Sequence, residues 1–573
     1  MNRQIHRPPL VPPALPPDAP ALTIDHRARM EILFAILLGL FLSALDQTIV
    51  GTALPRVVTD LRGNELYTWV VTIYLLTATI TGPIYGKLSD QFGRKPLLMF
   101  GIALFLAGSF LSGLSQEMWQ LVLFRGIQGL GAGSLFPIAL AVIGDLFTPA
   151  ERGKYQGLFG AVFGVSALIG PALGGFLTDT ISWHWVFFVN LPVGAIALFI
   201  IWRLLPGGHV PGVTRKVDYA GVFVFTLALV PILVGLTNRQ AQDWTNPWVG
   251  GLMLLGLALG GVFLWVESRA AEPIVPLDLF RNRTYSASMA AAFLASFGFF
   301  GAIIFLPRWY QVVVGSSATE SGYQLLPLLG GLILSSIVSG QIVSRTGRYK
   351  WITVGALVTL AGGLLLMTQL RADTPPPLLW LWQFVAGLGI GPTLAVFTII
   401  VQNAVPWQKL GVATSNLTFF RQVGGTVGLA MAGTIFGATF RVETPRQIAN
   451  ELAAAGVPPA QIARLSGQFQ MTGAQFDELS AVGDMGARIL GQVPQPFRPL
   501  VEPLIPSIVH GIHQAFSLAI ANTMWLGVVA TLVAAGATLA LREVALRRTH
   551  ETGKPGSSVA RQVSAPAEVV RAE

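Results

Sequence analysis

Two ionisable residues stand deep inside apolar sequence: Asp46 in Phe41-Leu-Ser-Ala-Leu-Asp46-Gln-Thr-Ile-Val50, and Arg125 in Leu121-Val-Leu-Phe-Arg125-Gly-Ile-Gln128. Placing such a group at the centre of a bilayer costs about 2.5–3.5 kcal/mol, and residues kept there usually have a task. The chemistry open to this pair is proton exchange. Burial favours a neutral acid and a nearby guanidinium favours the carboxylate, so a change in their separation or hydration would alter how tightly Asp46 holds a proton. The alternative is a static ion pair that only lets both side chains enter the bilayer. A third charge, Arg421 in Arg421-Gln-Val-Gly424-Gly425, has no obvious acidic partner. It either meets a polar substrate group or acts as a strut on backbone carbonyls and Asn416.

Other chemistries lack their parts. Without cysteine there is no disulfide, thiolate metal site or cysteine nucleophile. The seven histidines show no metal-binding spacing, no G-x-x-x-x-G-K-[ST] loop offers an ATP site, and the apolar stretches hold no catalytic His or acid cluster. Neither an enzyme nor a metal or organic cofactor is expected, which leaves a proton gradient as the energy source.

The elements that must position these residues are membrane helices. Of 573 residues 53% are hydrophobic and only 11% charged, against about 25% charged in soluble proteins. Apolar windows predict fourteen spans, near 31–52, 67–85, 97–115, 118–144, 154–178, 183–205, 219–238, 247–267, 285–311, 321–344, 351–370, 378–404, 412–438 and 515–541. Lys and Arg favour one side by about five to one; that side holds Lys87, Arg94, Lys95, Arg152, Arg215, Lys216, Arg345 and both tails, and the other side Arg56, Arg62, Arg239, Arg308 and Arg371. Both termini are therefore predicted to be cytoplasmic, and the net charge of +9 reads as topology rather than as a nucleic-acid footprint. Asp46 then lies about 22 Å from the inner edge and Arg125 about 10 Å from the outer edge at 1.5 Å per residue. In a slab about 30 Å thick those depths nearly coincide.

An internal repeat locates the halves. Gly86-Lys-Leu-Ser-Asp90-Gln-Phe-Gly93-Arg94-Lys95 follows the second span, and Gly340-Gln-Ile-Val-Ser-Arg345-Thr-Gly347-Arg348-Tyr-Lys350 follows the tenth. The same offset carries Gly170 onto Gly424 and Gly174 onto Gly428. Two six-span halves around a central site are a transporter architecture. The ionisable pair does not repeat: Asp46 falls on Phe300, and aligning Gly129, Gly131 and Gly133 with Gly387, Gly389 and Gly391 sets Gln383 against Arg125. The resulting division is a disordered Pro-rich cytoplasmic tail at 1–30 without a signal peptide, an N-terminal bundle at 31–205, a two-helix insert and cytoplasmic linker at 206–284, a C-terminal bundle at 285–541 and a second cytoplasmic tail at 542–573. Within the C-terminal bundle, 439–513 reads as a long extracytoplasmic loop. In it, Gln447–Ala455 and Gln475–Leu490 are predicted to form short amphipathic helices on the outer face, the alternative being a plain tether.

Four further stretches complete a resemblance: Leu45-Asp46-Gln-Thr-Ile-Val50-Gly-Thr-Ala-Leu-Pro55, Leu123-Phe-Arg125-Gly-Ile-Gln128-Gly129-Leu-Gly131, Gly164-Val-Ser-Ala-Leu-Ile-Gly170-Pro171-Ala-Leu-Gly174-Gly175 and Trp183-His-Trp185-Val-Phe-Phe-Val-Asn190-Leu-Pro192-Val-Gly194. With the loop after the second span, they resemble the fourteen-span drug:H⁺ antiporters, EmrB/QacA type, of the major facilitator superfamily. The resemblance covers roughly Met30 to Arg542. It implies an all-α polytopic membrane protein with the major facilitator fold, two six-helix bundles plus two inserted central helices. It ties Asp46 and Arg125 to proton coupling, and the glycine-rich stretch Gly164, Gly170, Pro171, Gly174 and Gly175 to antiport.

Gly86, Asp90, Gly93, Arg94 and Lys95 read as a conformational latch. Asp90 would sit at the amino end of a helix in the other half, and Arg94 and Lys95 would pair with acids such as Asp145 or Glu151; the alternative is that the basic residues only enforce topology. In the resembling family, members that export divalent organic cations carry extra acids in later spans; spans nine to fourteen here lack a well-buried one, which argues against a dicationic substrate. The substrate cavity is expected to use Gln128, Phe300, Gln311, Gln383, Asn403, Asn416 and Arg421, a surface suited to lipophilic, mono-cationic or neutral compounds. The expected function is proton-coupled antiport of such compounds out of the cytoplasm, by a monomer in the cytoplasmic membrane whose partners are small lipophilic substrate, protons and membrane lipid, with no nucleic acid. Export of an endogenous lipid or lipid-like metabolite, or a non-transporting membrane sensor, are the alternatives.

Overall fold

The computed structural model describes residues 25–61, 66–207, 217–239, 242–459, 462, 485–492, 495, 498–541 and 543. Arg62, Arg215, Lys216, nearly all of the amino-terminal tail, most of 475–490 and almost all of the carboxy-terminal tail lie outside the described residues. The described residues are helical, with no strand, and fourteen helical stretches are long and apolar enough to cross a membrane. A helix satisfies its own backbone hydrogen bonds, which is what an apolar environment demands.

In chain order the helices are α1 (His26–Leu61), α2 (Tyr67–Phe92), α3 (Arg94–Gly113), α4 (Met118–Leu146), α5 (Pro149–Thr180), α6 (Trp185–Phe188) and α7 (Asn190–Leu204). The two inserted helices are α8 (Tyr219–Asn238) and α9 (Leu252–Glu267). There follow α10 (Arg283–Trp309), α11 (Ala318–Tyr323), α12 (Leu326–Thr346), α13 (Lys350–Met367), α14 (Pro376–Ala404) and α15 (Leu410–Ala454). The last three are α16 (Met485–Gln492), α17 (Arg498–Val501) and α18 (Ile505–Leu539). In the first half α4 packs on α2 and α3, and α1 on α5 and α7; in the second, α14 packs on α12 and α13, and α10 and α15 on α18. The halves meet chiefly along α5–α12 and α2–α15. Helices α8 and α9 pack on each other, α8 also touches α2, and Lys87 of α2 pairs with Glu272 of the following linker at 2.7 Å.

The structure corrects three sequence expectations. The segment 86–95 is not a loop: α2 runs to Phe92, α3 starts at Arg94, and the only joint is Gly93 at φ 96°, a conformation glycine adopts without penalty. The sixth span starts later than 183: a turn precedes α6 at Trp185, and α6 runs on into α7 through Val189, which keeps helical dihedrals and bonds the Trp185 carbonyl. Just before it His184 bonds Ser182 and stacks on Trp183; burial pushes its proton affinity down, against the opposing pull of Asp60.

The third correction concerns 439–513. Residues 447–454 do not form a separate surface helix but continue α15, which at 45 residues is about 67 Å long. Helix α18, at 35 residues, is about 52 Å long. Both exceed a bilayer core of about 30 Å. The continuation follows from a four-residue apolar repeat, Phe440, Thr444, Ile448 and Leu452, all buried, which faces Ile508, Ile512 and Phe516 of α18 in one apolar core. Gly511 lets the two backbones approach, since a side chain there would meet the backbone of Ile448.

Candidate functional site

Asp46 on α1 and Arg125 on α4 are fully buried and joined at 2.6 Å, Arg125 Nη1 to Asp46 Oδ2. Oδ1 of Asp46 accepts two further bonds, from Gln128 Nε2 at 2.8 Å and from Asn190 Nδ2 at 3.0 Å. Arg125 is itself held from several sides: it donates to Gln128 Oε1 at 2.8 Å and to the Val70 carbonyl at 3.4 Å, and its guanidinium lies 4.2 Å above the centre of the Tyr74 ring. Gln128 stands one helical turn after Arg125 on the same face. A buried carboxylate with three donors is stabilised in its charged form, while the surrounding apolar helices favour its neutral form. The balance between these opposed effects is what a conformational change can tip.

Three members of this network lie beyond the residues assigned from sequence. Asn190 bonds both Asp46 and Ser109, at 3.0 Å each, and Ser109 Oγ donates to the Phe187 carbonyl at 2.9 Å. Tyr74 meets Ser43 through its hydroxyl at 3.2 Å. The available signal was polarity inside apolar runs: Asn190 sits within the Trp183 to Gly194 stretch.

The latch residues meet the other half. Both carboxylate oxygens of Asp90 accept backbone N–H groups at the start of α15, Oδ1 from Gly411 at 2.9 Å and Oδ2 from Val412 at 2.8 Å. These are donors that a helix start leaves without intrahelical partners, at its positive dipole end. Arg94 ties Asp90 at 2.5 Å to Asp145 at 3.0 Å. A side chain at Gly86 would collide with Ser415 and the Gly411 carbonyl. Lys95 departs from expectation: its ammonium caps the Trp202 carbonyl at the end of α7, and Glu151 caps its own helix through Thr148 rather than meeting the latch. The reason is reach, since Lys95 sits on the α3 face turned towards α7. At the repeat-related position, Gly340 of α12 lies directly against Gly153 of α5, backbone to backbone. With Gln402 donating to the Leu140 carbonyl at 3.1 Å, the structure is closed at this Lys- and Arg-rich end.

The α5 glycines serve two neighbours. Gly170 and Gly174 take the Thr48 and Thr52 side chains of α1, Gly164 faces Ile333 of α12, Gly175 lies near Thr319, and Pro171 meets Gly322 of α11. Thr48 also donates across the contact to the Ser166 carbonyl at 3.1 Å. Among the expected cavity residues, Gln128 belongs to the Asp46 network, Gln383 donates to the Tyr310 hydroxyl at 3.0 Å, and Asn416 donates to the Tyr285 hydroxyl at 3.0 Å. Asn403 is buried near the end of α14, Phe300 packs on Phe299 and beside Gly425, and Gln311 donates to Ser321 at 2.8 Å. Several of these amides are thus engaged inside helix interfaces, where buried amides find partners. Arg421 donates to the Thr393 and Leu394 carbonyls of α14 at 2.7 and 3.0 Å, the strut geometry, but not to Asn416.

Comparison with known proteins agrees with this architecture. The chain is 42% identical over 411 residues to the multidrug transporter protein MdtP of Bacillus subtilis, covering 72% of this chain and 76% of that one. It is 36% identical over 414 residues to multidrug resistance protein 3 of the same organism, covering 72% and 80%. A Mycobacterium tuberculosis protein described as an uncharacterized MFS-type transporter is 35% identical over 525 residues, 91% of this chain and 71% of that one. Among solved structures, the proton:xylose symporter XylE shares the fold with a TM-score of 0.53 at 13% identity, over 89% of this chain and 95% of that one. The description Major Facilitator Superfamily matches residues 36–429; the chain belongs to that family, and is a multi-pass membrane transporter rather than an enzyme.

Proposed function

We propose that this protein is a proton-coupled antiporter that exports lipophilic, mono-cationic or neutral compounds across the cytoplasmic membrane, with both termini inside. The observation that carries the reading is the wholly buried Asp46–Arg125 pair, an acid with its counter-charge at mid-helix depth in one half only. Two sequence relatives named as multidrug transporters support export as the direction.

The cycle follows from electrostatics. With the latch end closed, a proton arriving from outside neutralises Asp46 and weakens the charge-assisted bond that Arg125 makes to it. The half-bundle that was held by that bond repacks, the latch parts, and the loss of outer hydration is replaced by inner hydration. Substrate entering from the cytoplasm or inner leaflet then favours the state in which Arg125 again faces an ionised Asp46, and the proton leaves inward. Since the second half supplies Arg421 and amides but no well-buried acid, binding rests on apolar area and aromatic faces more than on ion pairing.

The test is proton release from purified protein in detergent on adding lipophilic cations, neutral drugs and lipids, comparing wild type with Asp46→Asn. Release by the wild type alone is expected. Release unchanged in the variant, or substrate binding without release, overturns the proton-coupling reading; release evoked only by lipids replaces drug export with lipid export.

A further inference from the structure

We infer that Asn190 is a proton-state relay for Asp46, reversing its amide when the acid is protonated and passing that change through Ser109 to the Phe187 carbonyl of α6. The inference rests on Asp46 being the exchanged acid. Asn190 is fully buried; both hydrogens of Nδ2 are in use, one on Asp46 Oδ1 and one on Ser109 Oγ, while its own Oδ1 has no partner. An orphaned amide oxygen in so dense a network is a cost that needs a reason.

Protonation supplies one. Asp46 Oδ2 is held by Arg125, so an added proton belongs on Oδ1, where it turns an acceptor into a donor and leaves two N–H groups facing an O–H. The new O–H needs an acceptor. Gln128 Oε1 already takes Arg125 Nη1 at 2.8 Å, whereas Asn190 Oδ1 is unoccupied. A half-turn of the Asn190 amide puts Oδ1 where Nδ2 was, and the acid then donates to it. The same turn withdraws the N–H from Ser109 Oγ, whose hydroxyl swings from the Phe187 carbonyl to the second lone pair of Asn190 Oδ1. The one covalent change is the proton transfer itself: an O–H of hydronium reaching the site from outside breaks as the O–H of Asp46 forms, leaving water.

Phe187 lies in α6, and α6 packs on α1, α3 and α5. Since α5 is also the helix that reaches α12 of the other half, a bond made or lost at the Phe187 carbonyl acts on the element joining the halves. Arg125 from α4 and Tyr74 from α2 are the ionisable side chains facing Asp46 among the described residues; Ser109 from α3 and Asn190 from α7 are neutral.

The experiment is infrared difference spectroscopy, acid minus neutral, on the full-length purified protein in lipid nanodiscs. In wild type we expect a protonated-carboxyl band together with a side-chain amide band, both lost in Asp46→Asn. In Asn190→Leu the amide band is lost and the carboxyl band moves to higher wavenumber, because the acid has lost its acceptor. Ser109→Ala, a smaller change, keeps both bands but slows proton-driven exchange. A carboxyl band that Asn190→Leu leaves in place, or one unaccompanied by an amide band, overturns the relay while Asp46 stands as the proton site. No carboxyl band in wild type overturns the Asp46 reading and the relay with it.

Discussion

Arg125 and Asp46 are unequal partners when one is removed. Asn at position 46 keeps an acceptor oxygen among Arg125, Gln128 and Asn190 but leaves the guanidinium without its counter-charge, so Asp46→Asn is expected to fold with a melting temperature below that of wild type while abolishing proton release. Arg125→Met strands a buried carboxylate, and loss of one member of a buried pair costs about 3–5 kcal/mol. Thermal unfolding in detergent should show Arg125→Met well below wild type and the double variant Asp46→Asn, Arg125→Met partly restored. A double variant no more stable than Arg125→Met alone would mean that Arg125 acts through its packing on Tyr74 and its bond to Val70, not through the charge pair. Asp46 and Arg125 were legible from sequence because charge in apolar sequence is conspicuous; Asn190 and Ser109 were not, because a neutral polar residue near a span end is ordinary until its partners are known.

Helices α2 and α15 carry the latch, and the absence of cysteine makes it directly measurable. Spin labels placed through cysteines at the exposed positions Lys154 of α5 and Arg345 of α12 span the two halves at the closed end. Asp90→Asn removes the anion from the start of α15, and Gly340→Leu forces a side chain between α12 and Gly153; both are expected to add a longer-distance population. Distances unchanged in both would show that the end is held by packing elsewhere. The long helices α15 and α18 make a different prediction. Ile448→Ala should cost about 2–5 kcal/mol, as buried aliphatic truncations do, and should expose the outer helical pair to protease while leaving the Asp46 network intact. Apolar spacing at 447–455 was readable as helix; that it belongs to α15 was not, because only contact with α18 gives those side chains somewhere to be buried.

Across the whole molecule, charge and packing act in different places. The excess of basic residues at the latch end predicts that both termini are cytoplasmic, and reporter fusions check it: a fluorescent protein fused after Glu573 should fluoresce, and alkaline phosphatase inserted after Gly456 should be active. The opposite pattern would invert the membrane and with it the direction of export. The two halves share a repeat but not a chemistry. The first holds the Asp46–Arg125 pair; the second holds Arg421 on the Thr393 and Leu394 carbonyls, and Gln383, bonded to Tyr310, where the first half has Arg125. On the proposed mechanism, such asymmetry lets a proton act on one half while the other keeps its charge fixed.

Length, apolar periodicity and the distribution of Lys and Arg were enough for the number of spans, because crossing a bilayer leaves a chain few options and each leaves a trace in residue order; the repeat and the family were carried by the motifs at the span ends. The same holds for Asp46, Arg125 and Asp90, whose charge is costly wherever the chain goes. Tertiary structure alone decided which neutral groups complete the Asp46 shell, that Lys95 caps α7 instead of meeting an acid, that several amides assigned to a cavity are engaged in helix interfaces, and that 447–454 continues α15 as a packed pair with α18. Each depends on which faces meet between helices far apart in sequence, and a neutral hydrogen bond or an apolar contact costs little enough in isolation that sequence has no need to announce it.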